Sequence, residues 1–115
     1  MGRSRERGKE GEEIASRLLK RKGYRIIARN YASSFGEVDI IAFEPESKTL
    51  VFVEVRLRRS SAFGHPLETI DNKKVERIRK TALSFLRETS VEYESVRFDV
   101  VSITGGEVLH VINAF

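Results

Sequence analysis

Thr49-Leu50-Val51-Phe52-Val53-Glu54-Val55-Arg56-Leu57 constrains the fold of this chain more than any other segment. β-Branched and aromatic residues dominate it, so it reads as a strand. Side chains alternate between the two faces of a strand, and here both faces are apolar apart from Glu54 and Arg56. A strand of that kind belongs in the middle of a sheet covered on both sides. Glu54 and Arg56 share one face, while Val53 and Val55 take the other. The preceding segment, Gly36-Glu37-Val38-Asp39-Ile40-Ile41-Ala42, reads as a second strand, with Pro45-Glu46-Ser47-Lys48 as the turn between them. A carboxylate among apolar neighbours loses solvation and needs a cation, a hydrogen-bond donor or a metal to stay ionised. Asp39 and Glu54 are two such carboxylates on the arms of one hairpin.

The remaining elements follow from periodicity and punctuation. Lys9 to Lys22 reads as a helix with an apolar stripe of Ile14, Ala15, Leu18 and Leu19, ended by Gly23 in a left-handed cap. Tyr24 to Arg29 is a strand and Asn30 to Gly36 a loop. Arg58 to Pro66 is a loop, after which Asp71 caps a helix with the stripe Val75, Ile78, Ala82, Phe85 and Leu86. Val96 to Ile103 is a strand, Gly105-Gly106 a hairpin turn, and Val108 to Ile112 a last strand. The expected order is α-β-β-β-α-β-β, an α/β fold with a mixed central sheet flanked by helices.

At 115 residues the chain is expected to form one domain with its own core. It contains no cysteine, which excludes disulfides and thiolate metal sites. No apolar run resembles a signal peptide or a membrane span, so a soluble cytoplasmic protein is expected. The net charge of +4 is unevenly spread: residues 1–29 carry +6, residues 56–80 carry +5, and the remainder carries −7. Basic segments framing an acidic strand region suit a polyanionic partner, although helices also commonly carry solvated Lys and Arg faces.

Hard divalent cations such as Mg²⁺ take carboxylate and carbonyl oxygens and need only one or two protein carboxylates. Asp39 and Glu54 would supply these, with the Val55 carbonyl as a third oxygen. The competing reading is an internal ion-pair network joining Asp39 or Glu54 to Arg56 or Arg58. Glu12 and Glu13 on the first helix could complete a site or simply be solvated, and Lys73 and Lys74 open the second helix within reach of a phosphate. Asp99 is expected to pair with an arginine in the sheet, and His65 and His110 to be isolated loop and strand residues. No serine triad, phosphate loop or dinucleotide fingerprint is present.

Gly8-x-x-Gly11-Glu12-x-x-Ala15, Gly23-Tyr24, Arg29-Asn30, Gly36 to Ala42, Phe52-Val53-Glu54-Val55-Arg56, Phe63-Gly64, Arg97 to Val101 and Asn113-Ala114-Phe115 resemble the bacterial YraN family over nearly the whole chain. That uncharacterised family is similar to the PD-(D/E)XK, restriction-endonuclease-like superfamily, near archaeal Holliday-junction resolvases. The resemblance implies that Asp39 is the metal-binding aspartate, Glu54 the acid of the E-x-K signature, and Glu12 a helix glutamate joining the metal site. Arg56 stands where the signature has lysine. An arginine stays protonated and cannot act as a base, but it can contact the scissile phosphate.

The leading expectation is therefore Mg²⁺- or Mn²⁺-dependent phosphodiester hydrolysis of DNA, branched or junction DNA included. Arg58, Arg59, Lys73, Lys74, Arg77 and the N-terminal Arg3, Arg5 and Arg7 would contact phosphates. The alternatives are a non-catalytic nucleic-acid-binding module that keeps the nuclease fold, and a protein-interaction scaffold. The resolvase resemblance alone suggests a homodimer.

Overall fold

The structure is a computed structural model that describes residues 2–58 and 71–115, with side chains described from Lys9 onward. Helix α1 spans Gly2–Arg21 and helix α2 Asn72–Glu88. The strands are β1 (Arg25–Ala32), β2 (Glu37–Glu44), β3 (Thr49–Arg58), β4 (Ser95–Thr104) and β5 (Glu107–Val111). They form one sheet in the order β1-β2-β3-β4-β5, antiparallel except for the parallel pair β3–β4. A hairpin can join antiparallel neighbours, but the parallel pair needs a crossover, and α2 lies within it. The α/β class, the mixed sheet and the element order agree with the sequence reading. Among the described residues, no helix is long and apolar enough to cross a membrane.

β3 is central and covered on both sides. Val51 and Val53 pack with Ala15 and Leu19 of α1, together with Ile40, Ala42, Val101 and Ile103. Leu50 and Phe52 face the opposite way, into a cluster with Ile78, Ala82 and Phe85 of α2. The fully buried Phe52 ring lies 5.6 Å from Phe98 and 5.9 Å from Phe85, centroid to centroid. Burying one such side chain contributes about 1.5–3 kcal/mol. α1 comes close enough that a Cβ on Gly11 would sit 3.4 Å from Val55 Cγ1. Continuing the alternation past Leu50 and Phe52 delivers Glu54 and Arg56 onto the α2 face.

The expected punctuation is present. Gly23 has φ +90°, with Gly23 N–H bonded to Lys20 O and Tyr24 N–H to Leu19 O, the paired bonds of a Schellman cap. Asp71 Oδ1 accepts from Lys74 N–H at 2.7 Å as the α2 N-cap. Gly105 and Gly106 both have positive φ between Thr104 and Glu107, as a two-residue type I′ turn requires. Two boundaries need correction. α1 starts at Gly2 rather than Lys9, because the Arg- and Glu-rich lead-in has good helix propensity but no apolar stripe to reveal it. β1 runs on to Ala32, through what reads as loop from Asn30, because a bulge near Ile27 lets Tyr31 and Ala32 pair with Val38 and Glu37. The loop expected over residues 58–66 lies largely outside the described residues.

Asp99, fully buried, pins the β4–β5 end of the sheet. Its Oδ1 accepts from Arg97 Nε and Asn113 N–H, both at 2.9 Å. Its Oδ2 accepts from Arg97 Nη2 at 2.9 Å and bonds His110 Nε2 at 2.7 Å. Arg97 Nη2 also donates to Tyr24 Oη at 2.7 Å, and Lys22 Nζ lies 2.8 Å from His110 Nδ1. With Nδ1 accepting from the lysine, the imidazole proton sits on Nε2 and is donated to Asp99. Burial pushes the Asp99 carboxyl up, but His110, Arg97 and the Asn113 N–H together hold it below its ordinary range. Asp99 thus pairs with an arginine as expected, whereas His110 is not isolated. The hairpin turn sets Val101 opposite His110 and so places His110 diagonally across from Asp99. Asp99→Ala should cost about 3–5 kcal/mol in urea unfolding, because it leaves the partly buried Arg97 guanidinium and the buried His110 ring without their carboxylate. A loss below about 1 kcal/mol would contradict this assignment.

Candidate functional site

The antiparallel ladder between β2 and β3 runs from Glu44↔Thr49 to Ile40↔Val53 and stops there. Its next pair would set Asp39 opposite Glu54. β3 continues beside β4 as far as Arg58↔Thr104, so the strands fork at the two acids. Val38 packs with Ile41 and Ile78 on the α2 side, although strict alternation from Ile40 would send it to the α1 side, so the β2 backbone rotates across Asp39. At the fork the Val55 N–H donates to Asp39 Oδ2 at 2.7 Å. The side-chain carboxylate thus takes the place of a strand carbonyl.

Beside the fork lies a pocket of about 370 Å³ lined by Gly36, Glu37, Asp39, Glu54, Lys74, Arg77 and Ile78. Glu54 is buried and forms an ion pair with Lys74, Oε1 to Nζ at 2.7 Å. The sequence reading offered Arg56 or Arg58 as the ion-pair partner. Arg56 is buried on the same face and its charge acts on Glu54, but the lysine of α2 makes this contact. A signal for it existed. Lys74 precedes Ile78, Ala82 and Phe85 at helical spacing, so a lysine stands in register with the buried stripe. Desolvation lowers the Arg56 pKa from its usual value, and neighbouring Arg58 pushes the same way.

Glu12 reaches the region from α1 on the opposite face of the sheet. It is 8% exposed, and its Oε1 has no hydrogen-bond partner. Its charge acts on Asp39 across the fork. Among the described residues, no three carboxylate or imidazole groups converge closely enough to ligate one ion. The Asp39 and Glu54 pair still meets the one or two carboxylates that Mg²⁺ needs. The orphaned, buried Glu12 oxygen and the uncompensated burial of Asp39 leave room at the fork for a nearby cation. Of the expected phosphate contacts, Lys74 and Arg77 line the pocket, Lys73 lies on the adjoining surface of α2, and Arg58 ends β3. Arg59 and His65, and the side chains of Arg3, Arg5 and Arg7, lie outside what the structure describes.

Burial pushes the Asp39 carboxyl up from 3.8 to about 7, and the Glu54 and Glu12 charges push the same way. The Val55 N–H and Lys74 oppose the shift only in part. Between roughly pH 4 and 7 the folded protein therefore holds a proton that the unfolded chain has released, so stability falls as pH rises through that window. Below it there is no penalty, and above it the penalty is complete. A shift of this size corresponds to at most about 4 kcal/mol, less for a partly exposed group. Asp39→Asn keeps an acceptor for Val55 N–H and removes the charge. It should be more stable than the parent by about 2–4 kcal/mol at pH 8, with the gain gone near pH 4. Urea unfolding of both proteins across that range is the check, and a pH-independent difference would contradict the assignment.

Comparison with known proteins places the chain in a group. The model of "Uncharacterised protein family UPF0102" matches residues 11–103. A UPF0102 protein of Persephonella marina is 47% identical over 109 residues, spanning 95% of this chain and 92% of the relative. A second, from Sulfurihydrogenibium sp., is 42% identical over 96% of this chain and 94% of its own length. A third, from Syntrophomonas wolfei, is 39% identical over 97% and 99%. Residues 11–103 hold Glu12, the β2–β3 fork, α2, Arg97 and Asp99, while His110 and Asn113 lie beyond them. The chain belongs to the uncharacterised family UPF0102, the YraN family that its motifs resemble.

Proposed function

We propose that this protein is a metal-dependent nuclease of the restriction-endonuclease-like type, acting on DNA. The observation that carries the reading is the fork: two acids from adjacent strands face one pocket whose other wall is cationic. The motif resemblance of the family to that superfamily supports it, as does the agreement in element order. Asp39 and Glu54 would hold Mg²⁺ or Mn²⁺, and the Glu12 carboxylate, with Oε1 lacking a hydrogen-bond partner, acts electrostatically on Asp39. When bound, the ion supplies Lewis-acid support to a phosphoryl oxygen and lowers the pKa of water.

The residues of the chain have distinct tasks in this reading. Asp39 must give up the proton that its surroundings favour, so loading should strengthen as pH rises toward 8. Arg56, always protonated, would face developing negative charge on the phosphate rather than act as a base. The lysine missing at position 56 has a counterpart in Lys74, whose ammonium reaches Glu54 from α2. Lys74 would orient the attacking water or the phosphate. Arg77 and Lys73 continue the cationic wall outward and would hold flanking phosphates.

A second reading rests on the same ion pair. Lys74 already neutralises Glu54, and Arg56 cannot serve as a base, which suits a nuclease fold kept for binding alone. Cleavage separates the two. Labelled four-way junction, flap, duplex and single-stranded DNAs should be cut with Mg²⁺ or Mn²⁺ and not with EDTA, with cutting lost in Asp39→Asn and Glu54→Gln. Binding without cutting in any metal would overturn the enzyme and leave the binding module. DNA affinity itself should fall with salt, with a log–log slope of about −3 for three or four phosphate contacts. A flat salt response would remove both readings.

A further inference from the structure

Next to the carboxylate pocket, and sharing Arg77 with it, is a second depression of about 320 Å³ lined by Phe35, Lys73, Glu76, Arg77 and Lys80. Phe35 lies in the β1–β2 connection and is 47% exposed. One exposed apolar side chain needs no explanation on its own. What sets Phe35 apart is its support and its company.

The connection is fastened to α2 rather than left to move. Ser33 Oγ accepts the Phe35 N–H at 3.0 Å and shares a 2.8 Å hydrogen bond with Thr81 Oγ1, itself fully buried. Ser33 N–H donates to Gly36 O at 2.8 Å. Gly36 lies so close to α2 that a Cβ there would sit 3.4 Å from Arg77 Cβ. An aromatic ring is thus held outward on a braced turn, so little further ordering is needed when it binds something.

Its neighbours are cations. Lys80 Nζ lies 5.4 Å from the Phe35 ring centroid, and Lys73 and Arg77 lie one helical turn apart on the same surface. Glu76 pairs with Lys80 at 3.2 Å, which leaves the depression net positive. A π face set among cations matches the two parts of a nucleotide, a base that stacks and a phosphate that pairs. Phe35 is four residues from Asp39 along the chain, so the two backbones lie within about 14 Å, the reach of a few nucleotides.

We propose that Phe35, with Lys73, Arg77 and Lys80, is a stacking platform for an unpaired nucleobase beside the carboxylate pocket. This rests on the nucleic-acid reading above and narrows it. Stacked duplex ends and perfectly paired junctions offer no free base face, so flaps, single-stranded tails and gaps are the preferred partners.

The chain has no tryptophan, so Phe35→Trp installs a single tryptophan at the platform, read apart from the three tyrosines by excitation at the red edge of its absorption. Titrated in EDTA, its emission should be quenched by single-stranded and flap DNA and not by a blunt duplex of equal length. Phe35→Ala and Phe35→Leu should each lose about 5- to 100-fold in affinity for single-stranded and flap DNA, and no more than about twofold for the duplex. Leucine keeps the apolar bulk and removes the π face, so full affinity in Phe35→Leu would overturn stacking. Equal loss on all DNAs, or no loss on any while the parent protein still binds, would overturn the platform and leave the nuclease reading standing. A parent protein that binds none of these DNAs at low salt would remove both.

Discussion

Both faces of β3 are covered, and the chemistry of the site follows from that enclosure. Val51 and Val53 bury themselves against α1, and Leu50 and Phe52 against α2. The two-residue period then has no dry or wet side on which to place a polar residue. Glu54 and Arg56 continue the α2 face and are carried into a poorly solvated environment by their neighbours. Partnership is the only way to keep such charges at modest cost. α2 supplies it through Lys74, which is why the crossover that makes β3 and β4 parallel also completes the pocket.

The sheet holds two aspartates that answer burial in opposite ways. Asp99 receives a guanidinium, an imidazole and a backbone N–H, and its carboxyl is held low. Asp39 receives one backbone N–H and the field of the Lys74 ammonium, feels the charges of Glu54 and Glu12, and rises to about 7. The first arrangement is closed, with its capacity to accept hydrogen bonds taken up by protein groups. The second is open toward a pocket and electrostatically unfinished. Perturbed carboxylates that face a cleft mark functional sites more often than carboxylates locked in a network do. The contrast supports our proposal of chemistry at the fork and a structural role for the β4–β5 end.

Much of the architecture was legible because local signals and tertiary demands agree. The α2 stripe, Ala15, Leu18 and Leu19 of α1, the Asp71 cap, the Gly23 cap and the Gly105-Gly106 turn are where the residues put them, whereas Ile14 is exposed because the buried face of α1 runs through Gly11, Glu12, Ala15, Ser16 and Leu19. The apolar run of β3 announced a central strand. Asp39 and Glu54 stood out as charges in apolar company, and the register brings them to the same point. The rest lay in contacts between segments distant in sequence. Lys74 to Glu54, His110 to Asp99 and Gly36 against Arg77 each depend on how elements dock, although helical spacing and hairpin register foreshadow the first two. Phe35 carried no periodic signal at all, since a loop aromatic gains meaning only from the helix beneath it.

Asp39 takes the hydrogen bond that a strand carbonyl would otherwise accept, and this affects how the protein can be dissected. Its carboxylate is part of the backbone wiring of the sheet as well as a charge in the pocket. Truncating it removes both at once: a partly buried N–H on the central strand loses its acceptor while the pocket loses an acid. Inactivity after such a truncation would say little about chemistry, because the strand beneath Glu54 would be disturbed too. Only an isosteric, neutral replacement separates these two functions. The fork thus ties the geometry of the sheet to the residue that most influences its charge.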